Sequence, residues 1–313
     1  MMANQAEIRL VLNHSPAAVF EALTDTEMVM GWFAESAEID LAQGRYDYWG
    51  RFTPETPDRE AGCHPILAVT LNEAIRYQWQ TEQGPSEVGV ALKAYQGGTL
   101  LALTHEIFPK EETEAGEESG VFPLEDFWFL SLENLRRFLD GRSVTRCDFS
   151  IKITGDVVVS FDFDAPADEV FGALIRPDQL NQWIANQAVV EPKIGGNFDY
   201  GWGASGPDKV TEFESGRKLA YVSEGYEDIF PELVTTWTLE GSGGRTRLTL
   251  VQSGFVTDLY QDGLHIGWHF FISWLRSLVE YDTPWQPPIK RLAVGTENQY
   301  PASVAAGQYL FEM

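Results

Sequence analysis

Few residues in this chain have types and spacing that could do chemistry. His105 belongs to a strand pattern that puts Leu101, Leu103 and His105 on one inward face. A histidine there can orient a polar ligand group or act as a base, because its ordinary pKa lies near neutrality. The structural alternative is a core histidine held by hydrogen bonds. His265 and His269 stand four apart on a helical pattern. That spacing puts two imidazoles on one helix face, as in metal sites. The residues between them are Ile266-Gly267-Trp268, so the pair is not HExxH, and no third ligand is indicated. No metal and no cofactor are expected. Trp32, Trp79, Val90, His105, Trp128, Trp183, Trp202, Trp237 and Trp268 are the candidate walls of a ligand cavity. Such cavities are mostly apolar with a few polar groups, and plain core is the alternative for each ring. Asp47 and Asp199, each flanked by aromatics, are expected to be structural. There is no supported Ser/His/Asp order, nucleophile elbow or phosphate loop, so no residue is assigned a catalytic role.

The elements that must position these residues occur twice. Ala17-Ala18-Val19-Phe20-Glu21-Ala22-Leu23 returns as Asp168-Glu169-Val170-Phe171-Gly172-Ala173-Leu174, and the same offset of 151 carries Trp32 onto Trp183 and Gly44 onto Gly195. Solenoid repeats are far shorter, so the repeat is a whole domain. Later strands align at an offset of 147, which places Val88, Val90 and Leu92 against Thr235, Trp237 and Leu239, and His105 against Gln252. The closing helices align at 140, with Trp128 on Trp268.

Each copy opens with a strand, Ala6–Leu12 or Val157–Phe163, the second alternating strictly at Val157, Val159, Phe161 and Phe163. Ser15-Pro16 marks a helix start in copy one; Asp168 and Glu169 suit the first turn in copy two. A second short helix ends near Trp32 and Trp183. A run of strands follows, with hairpin turns at Gln96-Gly97 and Gly243-Gly244. A long helix with an apolar stripe of three-and-four spacing closes each copy. The acidic stretch 110–118 is expected to be a loop before the first long helix. The pattern predicts an α+β protein of two tandem domains, 1–143 and 156–284, with a linker 144–155 and a tail 285–313.

Composition narrows the function. Hydrophobic residues make up 44% and aromatic residues 13% of 313, which favours large cores or lined cavities over disorder. The formal charge is −25, shared between the halves, which argues for solubility and against nucleic acid or anionic membrane partners. Cys63 and Cys147 are not at matching positions, so they are expected to be free thiols in a reducing compartment. No signal-peptide pattern or membrane-spanning run is present, so membrane insertion is not expected and the expected location is the cytoplasm.

The segments 15–25, Trp32-Phe33, Gly44-Arg45-Tyr46, 97–106 and the Trp128 helix, with Ala165–Phe171, Trp183, Gly195-Gly196, 243–250, Gly254-Phe255 and Gly267-Trp268, resemble the activator homologues of the heat-shock-protein-ninety ATPase. That family lies within the START-like, birch-pollen-allergen superfamily. The resemblance implies a helix grip in each copy: a curved antiparallel sheet around a long C-terminal helix, often with an apolar cavity. The basic Arg-Lys-Asn-x-Lys motif with which the eukaryotic co-chaperone engages its chaperone is not found here. Fold alone does not carry activity.

The leading expectation is binding of a small apolar or amphipathic molecule. Copy one is favoured because Val90 faces Trp237 in the comparison and predicts the larger cavity there. Two alternatives are a cyclase- or hydrolase-like enzyme working through His105, and a stress- or chaperone-associated interaction protein.

Overall fold

The structure is a computed structural model that describes residues 4–81, 84–107, 122–202, 207–226, 230–258 and 260–291. The chain forms two compact units that divide between Ile151 and Lys152, with a short segment from Pro288 returning to the first unit.

In the first unit, β1 (Asn4–Leu12) leads to α1 (Pro16–Thr24) and α2 (Thr26–Trp32). Ser15 caps α1 by accepting the Ala18 N–H, with Pro16 in the first turn, and Asp25 caps α2 through the Met28 N–H. Then come β2 (Ser36–Asp40), β3 (Arg45–Trp49), β4 (Ile66–Thr70), β5 (Ala74–Thr81), β6 (Gly84–Tyr95), β7 (Gly98–Ile107) and the long helix α3 (Phe122–Leu139). The second unit repeats this order. It runs β8 (Val157–Phe163), α4 (Ala167–Ile175), α5 (Pro177–Trp183), β9 (Val189–Val190), β10 (Asn197–Asp199), β11 (Asp208–Glu214), β12 (Lys218–Tyr226), β13 (Phe230–Ser242), β14 (Arg245–Ser253) and α6 (Gln261–Glu280). A last strand, β15 (Ile289–Arg291), lies in the tail.

The first sheet has the order β15-β1-β7-β6-β5-β4, and the second β8-β14-β13-β12-β11-β10-β9, antiparallel throughout. In copy one β2 and β3 pair only with each other, among the described residues. The alternation that predicts β8 holds: Val157, Val159, Phe161 and Phe163 are buried and the residues between them exposed. Both predicted hairpin turns have positive φ at their two central residues, Gln96-Gly97 and Gly243-Gly244, the twist that two-residue hairpins need. Gly44 and Gly195 also share a left-handed backbone, φ 71° and 77°, which explains why both copies carry glycine there.

The long helices lay Trp128, Leu132 and Leu135, or Trp268, Ile272 and Leu275, into the core. Burial extends beyond the stripe, because Ser131, Glu133, Asn134 and Arg137 on α3 are buried too. Two further features were not set by the pattern. Segment 144–151, expected as linker, packs on the first unit through Asn134–Thr145 hydrogen bonds and the Phe149 N–H to the Arg51 carbonyl. The tail begins by adding β15 to the free edge of β1. The acidic loop 110–118 lies outside the described residues.

Candidate functional site

Strand register aligns the two interiors residue by residue. Val88 pairs with His105 and Tyr77; Thr235 pairs with Gln252 and Tyr221. Tyr77 therefore matches Tyr221, and the offset between β5 and β12 is 144. The neighbouring strand confirms it. Ile66 pairs with Tyr77 and Val210 with Tyr221, and each is followed by a bulge in the same place, Ile66/Ala68 and Val210/Glu212. It follows that Trp79 matches Ser223 and His64 matches Asp208.

Several contacts are identical in the two copies. Trp32 Nε1 donates to the Ala22 carbonyl at 2.9 Å, and Trp183 Nε1 to the Ala173 carbonyl at 3.1 Å. These two indoles, 4% and 0% exposed, pin the second short helix to the first. Tyr48 and Tyr77 share a hydroxyl–hydroxyl hydrogen bond at 3.2 Å, and Tyr200 and Tyr221 share one at 2.8 Å. Burial raises all four phenol pKa values, Tyr221 to about 12. The closing-helix indole also has the same job twice. Trp128 donates to His105 Nδ1 at 3.0 Å, and Trp268 donates to Gln252 Oε1 at 2.6 Å.

That contact settles the state of His105. Nδ1 accepts from Trp128, so the neutral ring carries its proton on Nε2, which donates to Ser86 Oγ at 2.9 Å. The Ser86 hydroxyl in turn donates to the Trp79 carbonyl. Trp79 stacks on the imidazole at 5.5 Å. The ring is fully buried, and burial lowers its pKa to about 4. Both nitrogens are occupied, the arrangement of a hydrogen-bonded core histidine.

Trp79, His105 and Trp128 are thus brought together, with Phe33, Phe127, Tyr48 and Tyr77 around them. Val90 lies on the same sheet, buried opposite Leu103. In copy two, Trp237 meets Trp268 edge-to-face at 5.3 Å and Trp183 at 6.5 Å. Trp202 is not interior: it is 48% exposed, stacked on Tyr200, with its N–H on the Ile184 carbonyl. His265 and His269 are buried on α6 with rings 4.3 Å apart, and His269 Nδ1 bonds the His265 carbonyl at 2.7 Å. Burial lowers the His269 pKa to about 4. Cys63 is exposed and Cys147 buried, and no disulfide joins them.

The register also corrects the cavity comparison. Val90 against Trp237 leaves more room in copy one, but Trp79 against Ser223 leaves more room in copy two. Each interior holds one of the two large rings, so the size argument cancels.

At the two matched positions beside the buried tyrosine pair, the copies differ in how their polar groups are satisfied. In copy two, Asp208 is hydrogen-bonded to Ser223; burial first, and Asp199 nearby, raise its carboxyl pKa. The Trp237 indole N–H lacks an acceptor at good geometry, yet lies near enough to the Tyr221 oxygen to hold that phenol's pKa down somewhat. In copy one the matching positions are His64 and Trp79, and in this geometry neither bonds the other. His64 is fully buried, 3.9 Å from the Tyr48 ring and 5.6 Å from Trp79. Neither of its nitrogens, nor Trp79 Nε1, makes a well-formed hydrogen bond among the described residues. Burial pushes the His64 pKa down to about 4; the Tyr48 and Gln78 backbones favour the charged form only weakly. Sequence reasoning missed His64 because it sits in the loop before β4, where no periodicity marks it. That loop spans 50–65 in copy one and 200–207 in copy two.

Among the described residues, no helix is long and apolar enough to cross a membrane. The sequence profile of the family described as "Activator of Hsp90 ATPase homolog 1-like protein" matches residues 13–140 and 164–280. No curated protein matches the chain. Similar solved structures include protein MLL2253 from Mesorhizobium loti, 26% identical, covering 41% of this chain and 99% of that one, TM-score 0.37. The Aha1 dimer from Colwellia psychrerythraea is 18% identical over 41% of this chain and 97% of that one, TM-score 0.37. DynU16 from the dynemicin biosynthetic locus is 15% identical over 88% of this chain and 97% of that one, TM-score 0.31.

Proposed function

Given that the chain belongs to the family of Activator of Hsp90 ATPase homolog 1-like proteins, matched once in each half, we propose that it binds a small, mostly apolar molecule within the helix grip of copy one. One observation carries this reading: three buried polar atoms, His64 Nδ1, His64 Nε2 and Trp79 Nε1, are left without good partners in an otherwise aromatic interior. Buried polar groups are nearly always satisfied, and an unpartnered one costs about 1–3 kcal/mol, so a polar ligand atom that reached these three would be held favourably. A neutral imidazole offers one donor and one acceptor, and the indole a second donor. A hydroxyl, a carbonyl or an amine N–H on an aromatic or aliphatic body would meet one or more of them. The interior is closed in this state, and uptake requires the Phe33 and Phe127 rings, which lie against Tyr48, Trp79 and Trp128, to move.

The enzymatic alternative through His105 gains no support, because both ring nitrogens already have partners. The binding reading is tested by titrating N-phenyl-1-naphthylamine, a neutral aromatic dye, into wild type and His64→Phe. Saturable binding at one site per chain, weakened about tenfold or more in the variant, is expected. No saturable binding to wild type overturns it.

A further inference from the structure

A second feature of copy one lies beside this interior. A small recess of about 10 Å³ is lined by Phe33, Phe52, Phe127, Ser131, Asn134 and Arg146, among others. That is space for roughly one water molecule. Phe33 and Phe127 also touch Tyr48, Trp79 and Trp128, so the recess and the aromatic interior share these two rings as a common wall.

Arg146 is the unusual member. Its Nη2 donates to the Met30 and Gly31 carbonyls at 2.7 and 2.8 Å, at the C-terminal end of α2, where a cation is favoured. Its guanidinium lies 4.8 Å from the centre of the Phe52 ring. Nη1 is buried and has no partner among the described residues, and no carboxylate pairs with this side chain there. The neighbouring Arg51 is different: it holds Glu35 at 2.6 Å and lies 3.8 Å from Asp148. A half-buried cation with one buried, idle donor and no counter-charge is less stable than a paired one, and an anion at Nη1 would relieve this. Burial holds the Arg146 pKa below its ordinary value, as expected for a cation whose counter-charge is absent.

We propose that Arg146 anchors the anionic head of the copy-one ligand at this recess, so that the ligand class is an amphipathic anion: one carboxylate- or sulfonate-like group on an apolar, ring-bearing body. This rests on the ligand-binding reading of copy one and adds the charge of the ligand. The head bonds Arg146 Nη1 at the recess, which holds about one water as it stands and widens when Phe33 and Phe127 move apart to admit the body toward His64 and Trp79. The overall charge of −25 repels anions from the rest of the surface, so an anionic ligand that binds must find a local cation.

The test compares two dyes with the same ring system, 8-anilinonaphthalene-1-sulfonate and the neutral N-phenyl-1-naphthylamine, on the full chain. Wild type is expected to bind the sulfonate about tenfold more tightly or better. Arg146→Gln is expected to remove that preference while leaving the neutral dye within about twofold. Arg146→Lys, which keeps the charge, is expected to retain a preference. If Arg146→Gln fails to fold, as judged by near-ultraviolet circular dichroism, the wild-type ratio and the lysine variant decide. Equal binding of the two dyes to wild type, or a sulfonate affinity unmoved by Arg146→Gln, overturns the anionic-head proposal and leaves ligand binding standing. Binding of neither dye overturns both.

Discussion

Replacing His105 with glutamine separates a structural role from a chemical one, and copy two supplies the design. Gln252 occupies the equivalent place, accepts the Trp268 indole N–H through Oε1, and donates to Thr235 Oγ1 at 3.2 Å. In His105→Gln the amide oxygen takes the Trp128 N–H as in copy two; Thr235 is Val88 here, so the amide nitrogen must instead take Ser86 Oγ, the present partner of Nε2. Near neutrality the exchange of one hydrogen-bonded pair for another changes stability by no more than about 1 kcal/mol. In acid the two proteins part. The folded pKa of His105 is about 4, against an ordinary 6.5. The unfolded chain therefore takes up this proton first, and folding stability falls as pH drops from about 6.5 to about 4. At about 1.4 kcal/mol per pH unit, that gap costs about 3 kcal/mol from this one residue. His64 and His269, with folded pKa values also lowered by burial to about 4, add losses in the same window. Urea denaturation at a series of pH values measures the difference: the variant's acid loss should be smaller by about 3 kcal/mol, with little change at neutral pH. Parallel pH curves for the two proteins would refute the buried-neutral assignment. A large loss at neutral pH would show that the imidazole makes contacts an amide cannot.

Other outcomes follow from the same contacts. His64→Phe replaces nitrogens that make no well-formed hydrogen bond by an apolar ring, and should raise the melting temperature at neutral pH even as it weakens dye binding. The exchange of large rings between copies predicts a compensating pair. Trp79→Ser alone leaves a void costing about 3–5 kcal/mol, and Val90→Trp alone overpacks. The double variant, which reproduces the copy-two residues, should recover at least about 1 kcal/mol relative to the sum, as read by a denaturation cycle. Trp128→Phe leaves His105 Nδ1 without its donor and should cost at least about 1–3 kcal/mol in the same assay, as should Trp268→Phe at Gln252.

The frame of this protein could be read from residues whose burial follows a period. The alternation of Val157 to Phe163, the cap at Ser15, and the glycine turns at Gln96-Gly97 and Gly243-Gly244 all stand where local chemistry puts them. So does the repeated tryptophan at positions 128 and 268, because one offset spans each closing helix. The interior was less legible, for a physical reason. Loops of unequal length lie before β4 and β11 and between the strands that follow, so the offset changes several times within a few dozen residues. Sequence comparison reached Val90 and Trp237 but not Trp79 and Ser223, and so saw half of a compensating exchange. Hydrogen-bonded register and a duplicated bulge were needed to place the other half. His64 had no periodic signal, and Arg146 lay in a stretch expected to be linker that instead caps the end of α2. The tail strand β15, three residues long, carries too little pattern to announce itself.

The central claim is that the unpartnered atoms around Trp79 receive the ligand. The most direct measurement is the indole N–H region of a two-dimensional ¹H–¹⁵N spectrum during titration with N-phenyl-1-naphthylamine. The Trp79 resonance should shift and saturate with the dye, while that of Trp183, in the other copy and already bonded to the Ala173 carbonyl, stays in place. A Trp79 resonance unmoved at saturating dye would contradict the account, and a shift confined to Trp202 or Trp237 would place the ligand in the other copy.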